Sequence, residues 1–234
     1  MIPLYDLNPT RRTPVVTYAL ILVNVTAFLY QVSLGAEGGQ QLVMQWGMIP
    51  YWISELRVAS FSTVITSMFL HGGVLHLVAN MWSLYIFGDN VEDMLGRLRF
   101  LIFYLVCGAG AAIAQTLIEP SSVVPMVGAS GAISGVMAAY LKLFPHARIV
   151  TLIPVLILFF VREIPAVFFI VFWFAIQLLS GLGSLGDAAS MGGVAFFAHI
   201  GGFVVGLYLL ARLRRPPNPT GGFRQPSQSG SHYH

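Results

Sequence analysis

The chain has 234 residues, of which 56% are hydrophobic and only 9% charged, with a formal net charge of +3. A water-soluble domain of this size carries about a quarter of its residues charged, so this composition excludes a conventional soluble enzyme and makes lipid the solvent. The basic excess is small and forms no stripe interleaved with aromatics, which argues against nucleic acid as a partner.

In chain order, six apolar runs approach the roughly 20 residues needed to cross a bilayer: Val15–Gln31, Thr66–Phe87, Phe100–Ile118, Val127–Phe144, Pro165–Gly181 and Val194–Leu213. The first is too long for the apolar core of a cleavable leader and lacks a clear small-residue cleavage site, so no such leader is expected. Between the first two runs lies a long loop, Ser33 to Ile65, whose Trp46, Tyr51 and Trp52 suit the headgroup region of the outer leaflet. Ile149–Val161 is also apolar, but Pro154 interrupts it and Arg162-Glu163 close it. It reads as an interfacial or packed loop. The expected fold is an all-α polytopic bundle over residues 1–213, with a polar, proline- and glycine-rich cytoplasmic tail over 214–234 expected to be disordered.

Charge sets the expected topology. Arg11, Arg12, Arg97, Arg99, Lys142, Arg148, Arg162, Arg212, Arg214, Arg215 and Arg224 fall on one side of a six-helix arrangement, against Arg57 alone on the other, where Glu37, Glu55, Glu119 and Asp187 also lie. Basic residues favour the cytoplasmic side. Both termini are therefore expected in the cytoplasm of a cell with a bacterial-type inner membrane. The single Cys107 lies in an apolar run and excludes an intramolecular disulfide.

Polar side chains inside apolar spans are costly and usually face the bundle interior. His71, His76 and Asn80 lie in the second run, Ser130 near the start of the fourth, and His199 in the sixth. These three runs all descend from the outer side, and at about 1.5 Å per residue His76, Ser130 and His199 share one depth near it. Ser130, in VGASGA, sits where helix N-terminal N–H groups and the helix dipole favour developing negative charge. Read alone it is more readily a cap or packing serine than a nucleophile, and for Ser134 one turn deeper the packing reading is stronger. Gly131/Gly135 and Gly202/Gly206 are small-xxx-small pairs that would let the fourth and sixth helices approach and bring His199 to Ser130. His76 and Asn80, four residues apart, share one helix face and can both donate to an oxyanion. No acidic residue lies within these spans, so the expected arrangement is a Ser-His dyad. His71, His76 and His199 could in principle hold zinc, but no HExxH motif or nearby carboxylate accompanies them, and no metal is expected.

With HGGVLHLVANMWSLYIFG at 71–88, GASG at 128–131 and AHIGG at 198–202, the chain resembles the rhomboid family of intramembrane serine proteases over roughly Thr66 to Leu210. The resemblance implies Ser130 as nucleophile and His199 as base, His76 and Asn80 at the oxyanion, and structural support from His71, Gly128, Gly131 and Gly202. It further implies cleavage of single-span membrane proteins near the outer end of the span, without a cofactor. Two positions depart from the family pattern. Ser62-Thr63 stands where a Trp-Arg pair often anchors the first loop, and Ser134 stands where an aromatic often stacks on the histidine. The rival readings are a transporter or channel that uses the His/Asn/Ser cluster as its substrate or proton site, and a non-catalytic quality-control relative.

Overall fold

The computed structural model describes residues 2–155, 158–184 and 196–213, so the readings of the 214–234 tail and of Asp187 lie outside the described residues. In chain order the elements are β1 (Ile2–Asp6), α1 (Val15–Ser33), α2 (Gly35–Trp46), α3 (Pro50–Ser54), α4 (Thr63–Thr66), α5 (Val74–Leu95), α6 (Arg97–Ile118), α7 (Ser130–Leu143), β2 (Arg148–Val155), β3 (Leu158–Pro165), α8 (Ala166–Ser184) and α9 (Phe196–Leu213), with short 3-10 turns at Val58–Ser62 and Ser67–Phe69.

Each of the six apolar runs carries one helix. Three of them, α1, α6 and α9, are long and apolar enough to cross a membrane. A fourth crossing is available if the 58–69 segment and α5, bent by 80° at Leu70–Gly73, act together. Outward-facing side chains are strongly apolar, with Leu22 66%, Leu117 75% and Phe168 67% exposed. Such a surface is stable only against lipid.

Local chemistry explains the helix ends. Pro14 precedes α1, whose free N–H groups at Val16 and Thr17 donate to the buried Glu92 carboxylate at 3.0 and 2.7 Å. The Thr17 hydroxyl donates to the same carboxylate at 2.8 Å. A carboxylate from α5 therefore caps α1, an arrangement favoured by the positive end of the helix dipole. Gly96, with φ of +80°, makes the tight α5–α6 junction, a backbone conformation that costs a side-chain-bearing residue more.

Helix α9 packs mainly on α6 and α7, and the glycine pairs make the contact with α7. A Cβ built on Gly202 would overlap the Gly131 carbonyl oxygen, and one on Gly206 would lie 2.6 Å from Gly135 Cα. Beneath the crossing, Phe87, Phe100, Phe103, Tyr104 and Tyr140 form a fully buried aromatic floor.

The all-α expectation needs one correction. β1, β2 and β3 form an antiparallel sheet in the order β1-β2-β3, with Asp6 paired to Ile149 and Arg148 to Pro165. The segment read as a packed loop, Ile149–Val161, supplies most of β2 and part of β3. Pro154 cannot donate in a helix and disfavours helical geometry before it, while Ile149, Val150, Thr151, Ile153 and Val155 are β-branched and suit a strand. The N-terminal strand is held to the bundle by the Tyr140 hydroxyl, which donates to Asp6 at 2.7 Å, and by Trp82 Nε1, which donates to the Pro3 carbonyl at 2.6 Å.

Candidate active site

Ser130 is the first residue of α7, so its backbone N–H is among the donors the helix leaves unpaired. The approach to it is fixed from below. Gly128 has φ of +120° and donates its N–H to the Ser67 carbonyl at 2.9 Å. Met126 pairs with Met48 across an isolated bridge. The residues before Ser130 are thereby tied to the first loop.

His199 lies in the first turn of α9, and the N–H of neighbouring Ala198 donates to Gln115 Oε1 of α6 at 3.2 Å. With Gly202 seated on Gly131, the imidazole reaches across to α7. Its Nε2 lies 2.8 Å from Ser130 Oγ. Its other nitrogen, Nδ1, lies 2.6 Å from Gln177 Oε1 on α8. Trp173, one turn before Gln177, packs its ring on the imidazole at 5.9 Å between centroids, tilted by 42°.

His76 and Asn80 face the same space from α5. The Gly72 N–H donates to His76 Nδ1 at 3.4 Å, so in a neutral ring the proton resides on Nε2. A Cβ added at Gly128 would meet His76 Nε2 at 2.7 Å and Asn80 Nδ2 at 3.5 Å. Asn80 Nδ2 is buried and has no hydrogen-bond partner. Two side-chain donors thus converge beside Gly128, and one of them is unoccupied. A buried polar group left in this state costs free energy unless something accepts from it.

A cavity of about 750 Å³ joins these groups, with His76, Asn80, Gly128, Ser130, Gln177 and His199 in its wall. Its chemical content is a hydroxyl in contact with a ring nitrogen, flanked by donors suited to a developing oxyanion. Among the described residues, no three His, Cys, Asp or Glu side chains are gathered to hold a metal ion.

His71 sits at the edge of this group. Its ring is fully buried against Phe28 and His76, at 6.4 and 5.2 Å between centroids, and both its nitrogens lack partners. Its backbone, not its ring, makes the ordered contact, with Gln31 Nε2 donating to the His71 carbonyl at 2.8 Å. Ser134 donates its hydroxyl to the Ser130 carbonyl at 2.7 Å and is fully buried, so it packs within α7.

The first loop is anchored without a Trp-Arg pair at 62–63, where both side chains close only local turns. The Thr66 hydroxyl donates to the Trp46 carbonyl at 2.7 Å, Ser54 Oγ to the Pro120 carbonyl at 2.9 Å, and the Tyr51 N–H to the Ser122 carbonyl at 3.0 Å. Arg57 lies over the Trp52 ring at 3.7 Å.

Residues 58–216 match the family model described as a rhomboid domain, which covers more than half of the chain. The chain belongs to the rhomboid family. It is 35% identical over 170 residues to RHOMBOID-like protein 6, mitochondrial, of Arabidopsis thaliana, covering 72% of this chain and 49% of that protein. With Rhomboid protein 1, mitochondrial, of Saccharomyces cerevisiae it is 30% identical over 196 residues, 81% and 51% of the two chains. Rhomboid protease GluP of Bacillus subtilis is 28% identical over 204 residues, 87% of this chain and 36% of that one. This rhomboid chain thus spans about half the length of the first two relatives. Family membership and the apolar helices together make it a multi-pass membrane protein.

The residues singled out from the sequence do not include Gln177 and Trp173, both of which contact His199. Gln177 is the single amide in the run AVFFIVFWFAIQLL, and a lone amide in an apolar span is itself a signal of a buried partner. Trp173 carries no comparable mark, because aromatics are common in such helices.

Proposed function

We propose that this rhomboid is an intramembrane serine endopeptidase that cleaves single-span membrane proteins near the extracytoplasmic end of their transmembrane segment. The observation that carries the reading is the 2.8 Å contact between Ser130 Oγ and His199 Nε2 at the wall of the cavity. In this mechanism His199 Nε2 takes the hydroxyl proton as Ser130 Oγ attacks the scissile carbonyl, and later returns a proton to the leaving amine. The carbonyl oxygen becomes an oxyanion beside Gly128, where His76 Nε2–H, Asn80 Nδ2 and the Ser130 backbone N–H donate to it. Water then hydrolyses the acyl-enzyme with His199 again as base. No metal or organic cofactor takes part.

Six membrane crossings with both termini in the cytoplasm fit the Lys/Arg asymmetry. In that orientation Ser130 opens α7 near the outer face, so the cleaved bond lies at the substrate's outer end. The membrane proposed is a bacterial-type inner membrane.

Labelling with a fluorophosphonate probe tests the reading. Wild-type protein is expected to label at Ser130 and Ser130→Ala to remain unlabelled. Equal labelling of the two proteins contradicts the serine mechanism.

A further inference from the structure

His199 can act as a base toward Ser130 only in one of its two neutral forms. Nε2 faces the Ser130 hydroxyl and must be bare to accept its proton, so the ring proton must reside on Nδ1. An isolated imidazole has no strong reason to hold its proton there. Whatever accepts from Nδ1–H therefore selects the productive tautomer.

In this chain that acceptor is an amide. Gln177 Oε1 lies 2.6 Å from Nδ1, and it reaches the ring from α8, whereas the ring belongs to α9 and the serine to α7. The interaction depends on which end of the amide faces the ring. With the oxygen toward Nδ1 the histidine is a base at Nε2. With the NH₂ group toward Nδ1 the proton would move to Nε2 and the pair would be inert. Trp173 restricts the ring from the same helix, one turn away, by packing against its face. Orientation in this chain thus comes from α8, where the family pattern would place an aromatic at the position of Ser134.

We propose that Gln177 is a positioning residue that completes a Ser130–His199–Gln177 relay by fixing the His199 tautomer and ring orientation, with Trp173 holding the plane of the ring. The inference rests on the protease reading above for its kinetic consequence, but its structural content is independent of it. A neutral acceptor suffices because the task is to hold a proton on Nδ1. A carboxylate at this depth would carry a desolvation cost that an amide avoids.

The test compares Gln177→Met, close in size but with no strong acceptor, with Gln177→Glu, which keeps an acceptor oxygen at the same reach. Full-length protein is purified in detergent, and two readouts are taken. The first is cleavage of a single-span substrate. Gln177→Met is expected to lower kcat about ten- to hundredfold, part of the roughly 10²–10⁴-fold that a positioned general base contributes, with KM within about twofold. Gln177→Glu is expected to recover most of the rate.

The second readout is ¹⁵N NMR of histidine-labelled protein, with the His199 signal identified by its loss in His199→Ala. Wild type and Gln177→Glu are expected to show the Nδ1–H form, and Gln177→Met to shift toward Nε2–H. Wild-type kcat in Gln177→Met, an unchanged tautomer in that variant, or a Gln177→Glu protein as slow as Gln177→Met each overturns the proposal. If wild type cleaves nothing while the tautomer shifts as described, the positioning role stands and the protease reading fails.

Discussion

Gly202 of α9 sits directly against the carbonyl of Gly131 in α7, and this contact brings His199, nearly one turn before Gly202, within 2.8 Å of Ser130, the residue before Gly131. The spacing of the pair therefore depends on the absence of a side chain at Gly202.

Enlarging Gly202 should separate the pair before it unfolds the bundle. Gly202→Val is expected to lower cleavage about a hundredfold, the scale of a 1 Å misplacement at a reacting centre, and to slow fluorophosphonate labelling of Ser130 in parallel. Overpacking also costs about 1–3 kcal/mol of stability. Thermal unfolding in detergent monitors that loss separately from the rate.

The donors on α5 should act in a graded way. Removing one oxyanion donor costs about 10²–10³ in turnover. Asn80→Ala is expected to slow cleavage on that scale while still allowing the probe to label Ser130. His76→Ala should show a loss of similar kind. Unchanged turnover in both variants would remove the oxyanion assignment.

Glu92 should matter for stability and not for chemistry. It is buried and receives three hydrogen bonds from the start of α1. Glu92→Ala leaves those donors unpaired and is expected to cost about 2 kcal/mol, within the range for a lost cap or an orphaned buried group. A lowered Tm with near-normal kcat in the surviving folded fraction is the expected pattern.

Topology is open to a direct check in a Cys107→Ala background. Cysteines placed at Leu98 and Val123 should be labelled from opposite sides of the membrane, because one adjoins the Arg97/Arg99 turn and the other the Glu119 loop. Labelling from the same side would contradict the shared depth of His76, Ser130 and His199.

Much of this arrangement was legible in the residues themselves. The six apolar runs, the glycine pairs and the polar outliers in α5, α7 and α9 are all local marks, and each corresponds to a described element. The sheet escaped because Ile149–Val161 pairs with a distant N-terminal strand, and hydropathy carries no information about pairing. Glu92 lies beyond the apolar part of its helix, so its role as a cap for α1 shows only in three dimensions. Gln177 was visible as an amide in an apolar span, but its partner lies on another helix, 22 residues away. The orientation of the His199 ring is a property of packing between α8 and α9, and no spacing rule within one helix reports it.

The central claim is that Ser130 and His199 act as one hydrolytic unit, and one assay tests it most directly. Purified protein in liposomes is given a single-span substrate, with EDTA present and no added metal. The wild type is expected to cleave it, and activity should fall on acidification as the histidine base protonates. Ser130→Ala and His199→Ala should each abolish cleavage, and the double variant should be no worse than either single one, because the two residues function as a pair. Ser134→Ala should retain substantial activity. Cleavage that survives Ser130→Ala, or that disappears with EDTA alone, would contradict the account.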